Sequence, residues 1–192
     1  YAADWSEYGA RVETNGFVGF PLDVFWSHED CDFIAIDAYF PLSDWRDGQA
    51  HLDAQSGVTA ITDHDYLQSN IEAGEYYDWY YRHAEARNAQ DRSVISDGAD
   101  NAEVWMYRAK DIQGWWSNHH RPRLQNQSQA ATGWVPQSKP IWFSEIGCPA
   151  VDKGSNQPNV FPDHLSSEGA VPHFSNGQRD DHIQRAYLAA FT

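Results

Sequence analysis

Glu145 is the residue of this sequence whose type and position most directly suggest chemistry. It stands near the end of residues 139–149, which contain a short apolar strand that begins after a proline and stops at a turn marked by Gly147 and Pro149. Because side chains alternate along a strand, Glu145 shares one face with Ile141 and Phe143. A carboxylate in such a run is costly unless a polar cleft receives it, and α/β proteins keep such clefts at the carboxyl ends of parallel strands. The alternative is that Glu145 caps the following turn or pairs with an arginine.

A second strand is predicted within residues 31–41, which are almost continuously apolar. This composition is typical of a strand that is buried on both faces of a parallel sheet. Asp37 and Tyr39 lie on one side of it near the carboxyl end, where ligands bind. Asp37 is therefore a candidate for ligand contact, and the alternative is a structural carboxylate that accepts hydrogen bonds from loop amides.

Two short clusters have side chains of the types that bind metals. Residues 63–65 read Asp-His-Asp, and residues 119–121 read His-His-Arg. Neither has a second cluster at a convincing spacing, so we interpret the first as a helix cap and the second as cations that favour a helix end. We accordingly expect neither a metal nor a cofactor.

Length and charge exclude several classes of protein. The chain has 192 residues, enough for one domain but fewer than the ~250 of a complete eightfold β/α barrel. Its formal net charge of -15 argues against binding to a nucleic-acid backbone. The sequence contains neither an apolar run of membrane-spanning length nor a signal-peptide pattern, and it begins with Tyr1, which we interpret as a cut end.

Aromatic residues make up 15% of the chain. This richness fits a carbohydrate-binding cleft, where flat rings stack on sugars, but it also fits a large protein interface or ordinary packing. The two cysteines, Cys31 and Cys148, flank different strands, and in neighbouring parallel strands they would lie about 20 Å apart. Because a disulfide needs Cα atoms within about 7 Å, we predict two free thiols.

The remaining segments predict a β/α order with long connections. A strand end is expected at residues 1–5, one helical turn at 23–28 and a short extended piece at 93–98. Helices are predicted at 65–89, 103–118 and 180–191, an irregular segment at 6–18, and loops at 41–62, 121–137 and 151–177.

Several stretches of the sequence are familiar as a group: YAADW (1–5), DFIAIDAYFPL (32–42), WWSN (115–118) and WVPQSKPIWFSEIGCPAVDKG (134–154). They closely resemble the TIM-barrel-like domain of gene transfer agent tail proteins, and the resemblance covers essentially the whole chain. It implies an α/β fold of the (β/α)8 type, related to retaining glycoside hydrolases. Residues 1–192 would then be a single domain that covers about strands five to seven of the barrel, without the first half and the last strand.

The resemblance also implies roles for particular residues. Glu145 matches the nucleophile at the end of the seventh strand, and Tyr39 matches the aromatic hydroxyl that supports it. The acid/base glutamate would close the fourth strand, outside this chain, and Glu7 is the only nearby substitute. Trp5, Asp37 and Trp142 are the expected substrate contacts.

The function implied by the resemblance is that of a tail-tip or baseplate domain of a phage-like particle, with a cleft for cell-envelope glycans. Its partners would be polysaccharide and other tail proteins, with no nucleic acid, and its location the particle tail. The alternatives are a free-standing retaining glycosidase that acts on a β-linked polysaccharide, and a structural barrel with a vestigial cleft. We expect the chain by itself to be inactive, because the general acid is missing, and to aggregate when it is made alone, because its sheet edges are open.

Overall fold

The computed structural model describes residues 1–98, 103–167 and 169–192. These residues form two compact units, the first from residues 1–38 and 95–145 and the second from residues 39–94 and 146–192. The strands are β1 (Ala2–Asp4), β2 (Arg11–Val12), β3 (Val18–Gly19), β4 (Ile34–Ala38), β5 (Trp79–Tyr80), β6 (Ser93–Val94), β7 (Arg123–Leu124), β8 (Gln127–Ser128) and β9 (Ile141–Ile146). The α-helices are α1 (Asp23–Trp26), α2 (Leu52–Gln55), α3 (His64–Ser69), α4 (Ala84–Ala89), α5 (Ile112–Ser117) and α6 (Asp181–Ala189), and 3-10 helices cover Asn70–Glu72, Val104–Tyr107 and Gly154–Asn156.

A parallel sheet in the order β1-β4-β9 carries the residues of interest in the first unit. Asp4 of β1 is the register partner of Asp37 in β4. On the other side of β4, the amide of Ile34 donates to the carbonyl of Pro140 at 2.9 Å. The predicted strands within residues 31–41 and 139–149 are therefore confirmed, and they are neighbours.

The two long strands differ in burial, which the apolar composition of both did not indicate. Ile34, Ile36 and Ala38 of β4 are completely buried, whereas most of β9 is exposed, with Trp142 at 58%. The reason is position in the sheet: β4 has a neighbour on each side, and β9 forms an edge. Of the two, only β4 is the buried strand that its sequence predicts.

A second sheet of the first unit, in the antiparallel order β2-β3-β7-β8, corrects two predictions. Residues 6–18 were expected to be irregular, but they contribute β2 and the start of β3, joined through Asn15 and Gly16, which has φ of 80°. Residues 121–137 were expected to be a loop, but Gln125 and Asn126, both with positive φ, close a tight hairpin between β7 and β8. Such two-residue turns match the twist of the strands that they join.

The predicted helix over residues 65–89 is interrupted: helical residues cover its two ends, in α3 with the following 3-10 helix and in α4, but the middle is not helical. The chain leaves the helical conformation after Glu72, because Gly74 and Tyr76 have φ of 73° and 64° and the Asp78 carboxylate accepts a hydrogen bond from the Gly74 amide. Left-handed residues cannot continue a right-handed helix. Trp79 and Tyr80, which matched the helical spacing, instead form β5 and pair with β6.

The predicted helix over residues 103–118 is divided. Val104–Tyr107 is a 3-10 helix, and α5 begins only after Asp111, whose carboxylate accepts a hydrogen bond from the Gly114 amide at 2.8 Å. An aspartate in this position caps a new helix more favourably than it continues an old one. The apolar spacing was read correctly, but the cap within it was missed.

The predictions at the other helices agree better with the structure. Helix α1 occupies the single turn expected at residues 23–28, and α6 fills most of residues 180–191. Asp63 caps α3 through a hydrogen bond from the amide of Tyr66, as the interpretation of residues 63–65 required. Both cysteines are free thiols, as predicted.

The fold class is α/β, and the residues that the structure describes do not close a barrel. None of the helices in the described ranges is long and apolar enough to cross a membrane. The core of the first unit is built around Trp26, Trp115 and Trp134, and that of the second around Leu67 and Tyr187.

Candidate functional site

A row of polar side chains, here called the polar row, crosses the carboxyl edge of the parallel sheet. It consists of Asp4, Asp37 and Ser144, one residue from each strand. The Ser144 hydroxyl donates to Oδ1 of Asp37 at 2.9 Å, and Ser6 donates to Oδ1 of Asp4 through its amide and its hydroxyl. The second oxygen of each aspartate accepts no hydrogen bond from the residues that the structure describes. The polar row therefore offers two carboxylate oxygens to a ligand.

Like charges on neighbouring strands make this edge electrostatically unfavourable. Asp4 and Asp37 are directly paired in the register of β1 and β4, and adjacent strands lie about 4.8 Å apart. Cross-strand pairs of equal charge reduce sheet stability. The fold keeps such a pair at the edge where α/β proteins bind ligands.

A second row lies one residue further along the strands and on the opposite face of the sheet. The amide of Trp5 donates to the carbonyl of Asp37, which continues the register and sets Trp5 beside Ala38. The hydrogen bond from the Ile34 amide to the Pro140 carbonyl aligns Ile34 with Ile141. Four residues further along both strands, the same register aligns Ala38 with Glu145, on the side of β4 away from β1. Trp5 and Ala38 are buried and Glu145 is exposed. The methyl group of Ala38 thus separates an aromatic ring from a carboxylate.

Strand alternation divides the residues that the sequence grouped around Glu145. Trp142 stacks on Phe33 with ring centroids 4.2 Å apart, and it shares the face of Asp37 and Ser144. The structure therefore brings Trp5 to the face of Glu145, and Asp37 and Trp142 to the other face. Alternation along β9 had already placed Glu145 and Trp142 on opposite faces in the sequence analysis. The face on which Asp37 lies relative to Glu145 depends on the register of β4 and β9, which the sequence does not show.

The other two predicted site residues, Glu7 and Tyr39, do not belong to the strands of the parallel sheet. Glu7 is exposed in the turn after β1, where its amide donates to the carbonyl of Asp4. Tyr39 belongs to the second unit, where its ring meets that of Phe161 edge to face at 5.9 Å. The roles assigned to both residues remain predictions.

The second unit contains a charged cluster that the sequence did not reveal. Asp44 is buried and accepts hydrogen bonds from Tyr81 at 2.6 Å, Arg92 at 2.8 Å and Arg46. Burial alone would raise the pKa of Asp44, but these donors outweigh burial and lower it. Arg92 also binds Asp53 at 2.5 Å. Such a set of carboxylates and guanidinium groups that hydrogen-bond to one another is typical of structural support rather than of a binding site.

Asn156 ties two segments of the second unit together. Its carbonyl oxygen accepts from the Ser43 hydroxyl and the Trp45 amide, and its amide group donates to the carbonyls of Trp45 and His173. These four hydrogen bonds use the full capacity of the side chain, which is 3% exposed. Parts of the long loops at residues 41–62 and 151–177 are therefore fixed by buried polar contacts.

His120 of the predicted cationic cluster is a core residue. It is completely buried, its Nδ1 lies 2.9 Å from both Asp23 oxygens, and its Nε2 lies 2.8 Å from the Trp115 carbonyl. With both nitrogens occupied, it is not available to a metal. Within residues 1–98, 103–167 and 169–192, no group of three or more His, Cys, Asp or Glu side chains is placed to hold a metal ion.

The chain is thus an α/β protein with polar groups at the carboxyl edge of a parallel sheet, which is where proteins of this class bind ligands. A family model described as the GTA TIM-barrel-like domain matches residues 1–192, so the chain belongs to this family of gene transfer agent domains. This membership indicates an association with gene transfer agent particles. A search among curated proteins found no match.

Asp4 and Ser144 are the site residues that the sequence analysis missed. A signal for Asp4 was present, because it follows two alanines at the end of a predicted strand, as Asp37 follows the apolar residues of β4. Ser144 was assigned to a face of its strand, but nothing in the sequence marked its hydroxyl as the partner of Asp37. That pairing depends on the register of β4 and β9, which no local pattern encodes.

Proposed function

We propose that the domain acts at the tail tip or baseplate of a gene transfer agent particle, where the carboxyl edge of its parallel sheet contacts a cell-envelope glycan. The observation that carries the proposal is the polar row. Its two outer carboxylate oxygens are the acceptors that sugar hydroxyls need, and hydrogen bonds to a carboxylate are strong. Other tail proteins are the proposed protein partners, and the parallel sheet is proposed to be a segment of a (β/α)8 barrel within a single domain.

The proposed chemistry, where the domain is active, is retaining glycoside hydrolysis with Glu145 as the nucleophile. This assignment rests on the family resemblance, and the exposure of Glu145 beside the small side chain of Ala38 supports it. A retaining enzyme needs a second carboxylate about 5–5.5 Å away to act as acid and base. We propose that this residue lies on the fourth strand of the barrel, outside residues 1–192, and that Glu7 is only a weak substitute for it. Tyr39 is proposed to support the nucleophile.

Replacement of Glu145 by glutamine tests the chemistry. In the full-length protein, Glu145→Gln preserves shape but removes the nucleophile, so we expect turnover of envelope polysaccharide to fall at least a thousandfold while glycan binding changes less than twofold. Reducing-sugar release and a glycan pull-down measure the two quantities. The matched control is Glu72→Gln, at an exposed glutamate of the second unit.

The pattern of results separates the competing functions. A wild-type protein that binds glycan without turnover, with no effect of Glu145→Gln, would be a binding module. A protein that cleaves soluble β-linked polysaccharide efficiently and is absent from purified particles would be a free-standing glycosidase. One that neither binds nor cleaves any envelope polysaccharide would leave only a structural role and would refute the proposal.

Asp37→Asn tests the binding surface separately. The substitution removes one charge of the unfavourable pair with Asp4, so we expect glycan affinity to fall about tenfold without a loss of folding stability. A purely structural carboxylate would give the opposite pattern, with lower stability and unchanged affinity. Thermal unfolding and glycan binding of the same preparation distinguish the two outcomes.

A further inference from the structure

The first unit has a cavity of about 630 Å³ at the amino-terminal edge of the parallel sheet. Tyr1 and Phe33, which immediately precede β1 and β4, line it together with α1 and the segment that follows that helix. The volume falls within the range of ligand pockets. The proposed glycan surface lies at the other end of the same strands, about 13 Å away along β4 from Phe33 to Asp37. No role has yet been given to this cavity.

Aromatic rings that meet at steep angles form its walls. Tyr1 and Phe25 lie edge to face, with centroids 6.0 Å apart and planes at 83°, and Phe25 meets Trp26 at 4.9 Å and 66°. Tyr1 is 71% exposed, Phe25 45% and Phe33 37%, whereas Trp26 is buried behind them. Edge-to-face contacts of this kind pack the rings against one another, and the exposed parts of Phe25 and Phe33 remain open to a ligand.

The rim of the cavity is acidic. Asp30 and Asp32 line it and are exposed, and Glu29 is an exposed neighbour in the chain. The cation close to this rim among the described residues is Lys139, whose amino group donates to the His28 carbonyl. Two carboxylates therefore line the cavity beside one ammonium group, and Nδ1 of His28 lies 3.7 Å from the carboxylate of Asp30. An apolar aromatic cavity with an excess of negative charge at its mouth attracts cations rather than neutral apolar ligands.

We propose that this cavity is a docking site for a basic segment of a partner protein, which lays an arginine or lysine side chain against the exposed rings of Phe25 and Phe33. The charged head would interact with the ring faces and with Asp30 and Asp32. The exposed apolar side chains at the rim would cover the aliphatic stem and its flanking residues. The chemistry of the occupant follows from charge complementarity, which the net charge of -15 reinforces at long range. This docking is independent of the proposed glycan site, because the two lie at opposite edges of the sheet.

The test uses a matched pair of synthetic peptides with the full chain. One is an acetylated and amidated Ala-Leu-Arg-Leu-Ala peptide, and the other has glutamine in place of arginine. We expect the arginine peptide to bind at least tenfold more tightly, with an affinity that falls as salt is raised, because exposed charges are screened. Anisotropy of a fluorescently labelled peptide measures both effects.

Variants of the cavity locate the binding. Asp30→Asn with Asp32→Asn should weaken the arginine peptide about tenfold and leave the glutamine peptide unchanged. Phe25→Leu should weaken it about threefold through the lost ring face. The control is Asp65→Asn with Asp91→Asn, which removes the same charge from exposed positions of the second unit and should have little effect.

Three results would overturn the proposal. Equal binding of the two peptides would mean that the cavity selects only apolar groups. Displacement of the arginine peptide by a neutral oligosaccharide, reversed by Phe25→Leu, would identify a sugar site. Absence of peptide binding in a chain with native elution and circular dichroism would show that the cavity is not a docking site.

Discussion

At the scale of single residues, the buried carboxylate of Asp44 and the carboxylates of the polar row differ in how many hydrogen bonds they accept. The side chains of Arg46, Tyr81, Gln90 and Arg92 donate hydrogen bonds to the Asp44 carboxylate. Burial and this carboxylate raise the pKa of Tyr81 to about 12. The carboxylates of the polar row have spare acceptor capacity by comparison. This contrast separates a structural cluster from a surface that can bind ligands.

His173 lies close to the charged cluster and should give the second unit a pH-dependent stability. Burial, and next the positive charge of Arg87, lower the pKa of His173 from 6.5 to about 4. The unfolded chain then binds more protons than the folded one between these values, so stability should fall as pH decreases from about 6.5 to 4. Because the ring is only partly buried, we expect a loss of about 1–2 kcal/mol. Chemical denaturation at several pH values measures it.

The control for this prediction is an exposed histidine of the same unit. His173→Gln should remove most of the decrease between pH 6.5 and 4, whereas His164→Gln should leave it in place. The lowered pKa of Asp44 acts in a different window, because its contribution is lost only as pH falls below the usual 3.8. A decrease that persists unchanged in His173→Gln would contradict the assignment.

At the scale of elements, most helices of this chain are too short to be stable without caps and tertiary contacts. Helix α6 is the longest, and the carboxylate of Asp180 accepts hydrogen bonds from the amides of His182 and Ile183 at 2.9 and 3.3 Å. Ile183 and Tyr187 lie on the face of α6 that packs into the core of the second unit. The cap decides where the helix begins, and the apolar side chains decide which face is covered.

Asp180→Ala should therefore destabilise the second unit by about 1 kcal/mol, the usual cost of losing an N-cap. Asp180→Asn should retain most of the stability, because its amide oxygen accepts the same hydrogen bonds. The free energy of unfolding in urea is the measurement. A matched change at the exposed neighbour, Asp181→Asn, should have a smaller effect. Equal losses for Asp180→Ala and Asp180→Asn would point to the charge rather than the cap.

At the scale of the whole molecule, the chain consists of two compact units, and the parallel sheet of the first ends in β1 and β9. Trp142 and Phe143 of β9 are 58% and 43% exposed, on opposite faces of an edge strand. Such an edge is a template for pairing with another chain. The single-domain prediction for residues 1–192 stays a prediction alongside this division.

We expect residues 1–192, made alone, to aggregate through this edge. Trp142→Lys with Phe143→Thr should reduce aggregation, because an inward charge and a polar side chain discourage strand pairing. Leu165→Lys, at a loop residue that is 97% exposed, should have little effect. Light scattering and size-exclusion chromatography measure the outcome. A soluble wild-type monomer with a sharp cooperative melt would show instead that these residues form a self-sufficient domain.

Local patterns in the sequence predicted the elements that are encoded by consecutive residues. The apolar runs of β4 and β9, the capped helix α6 and the free thiols were all predicted, and the motif around Glu145 led to the correct family. The helix over residues 65–89 failed because a single left-handed turn at Gly74 outweighs helical spacing. A hydrophobic period does not reveal where the backbone must reverse.

The tertiary structure alone decided which of these residues meet. The polar row exists because Asp4, Asp37 and Ser144 come from three strands whose register is fixed by contacts far apart in sequence. The same register placed Glu145 on the face opposite Asp37, and a shift of one residue would have exchanged the faces. Alternation along each strand is a local property that the sequence shows. The alignment of one strand with another is set by the packing of the whole sheet, and therefore only the folded chain determines it.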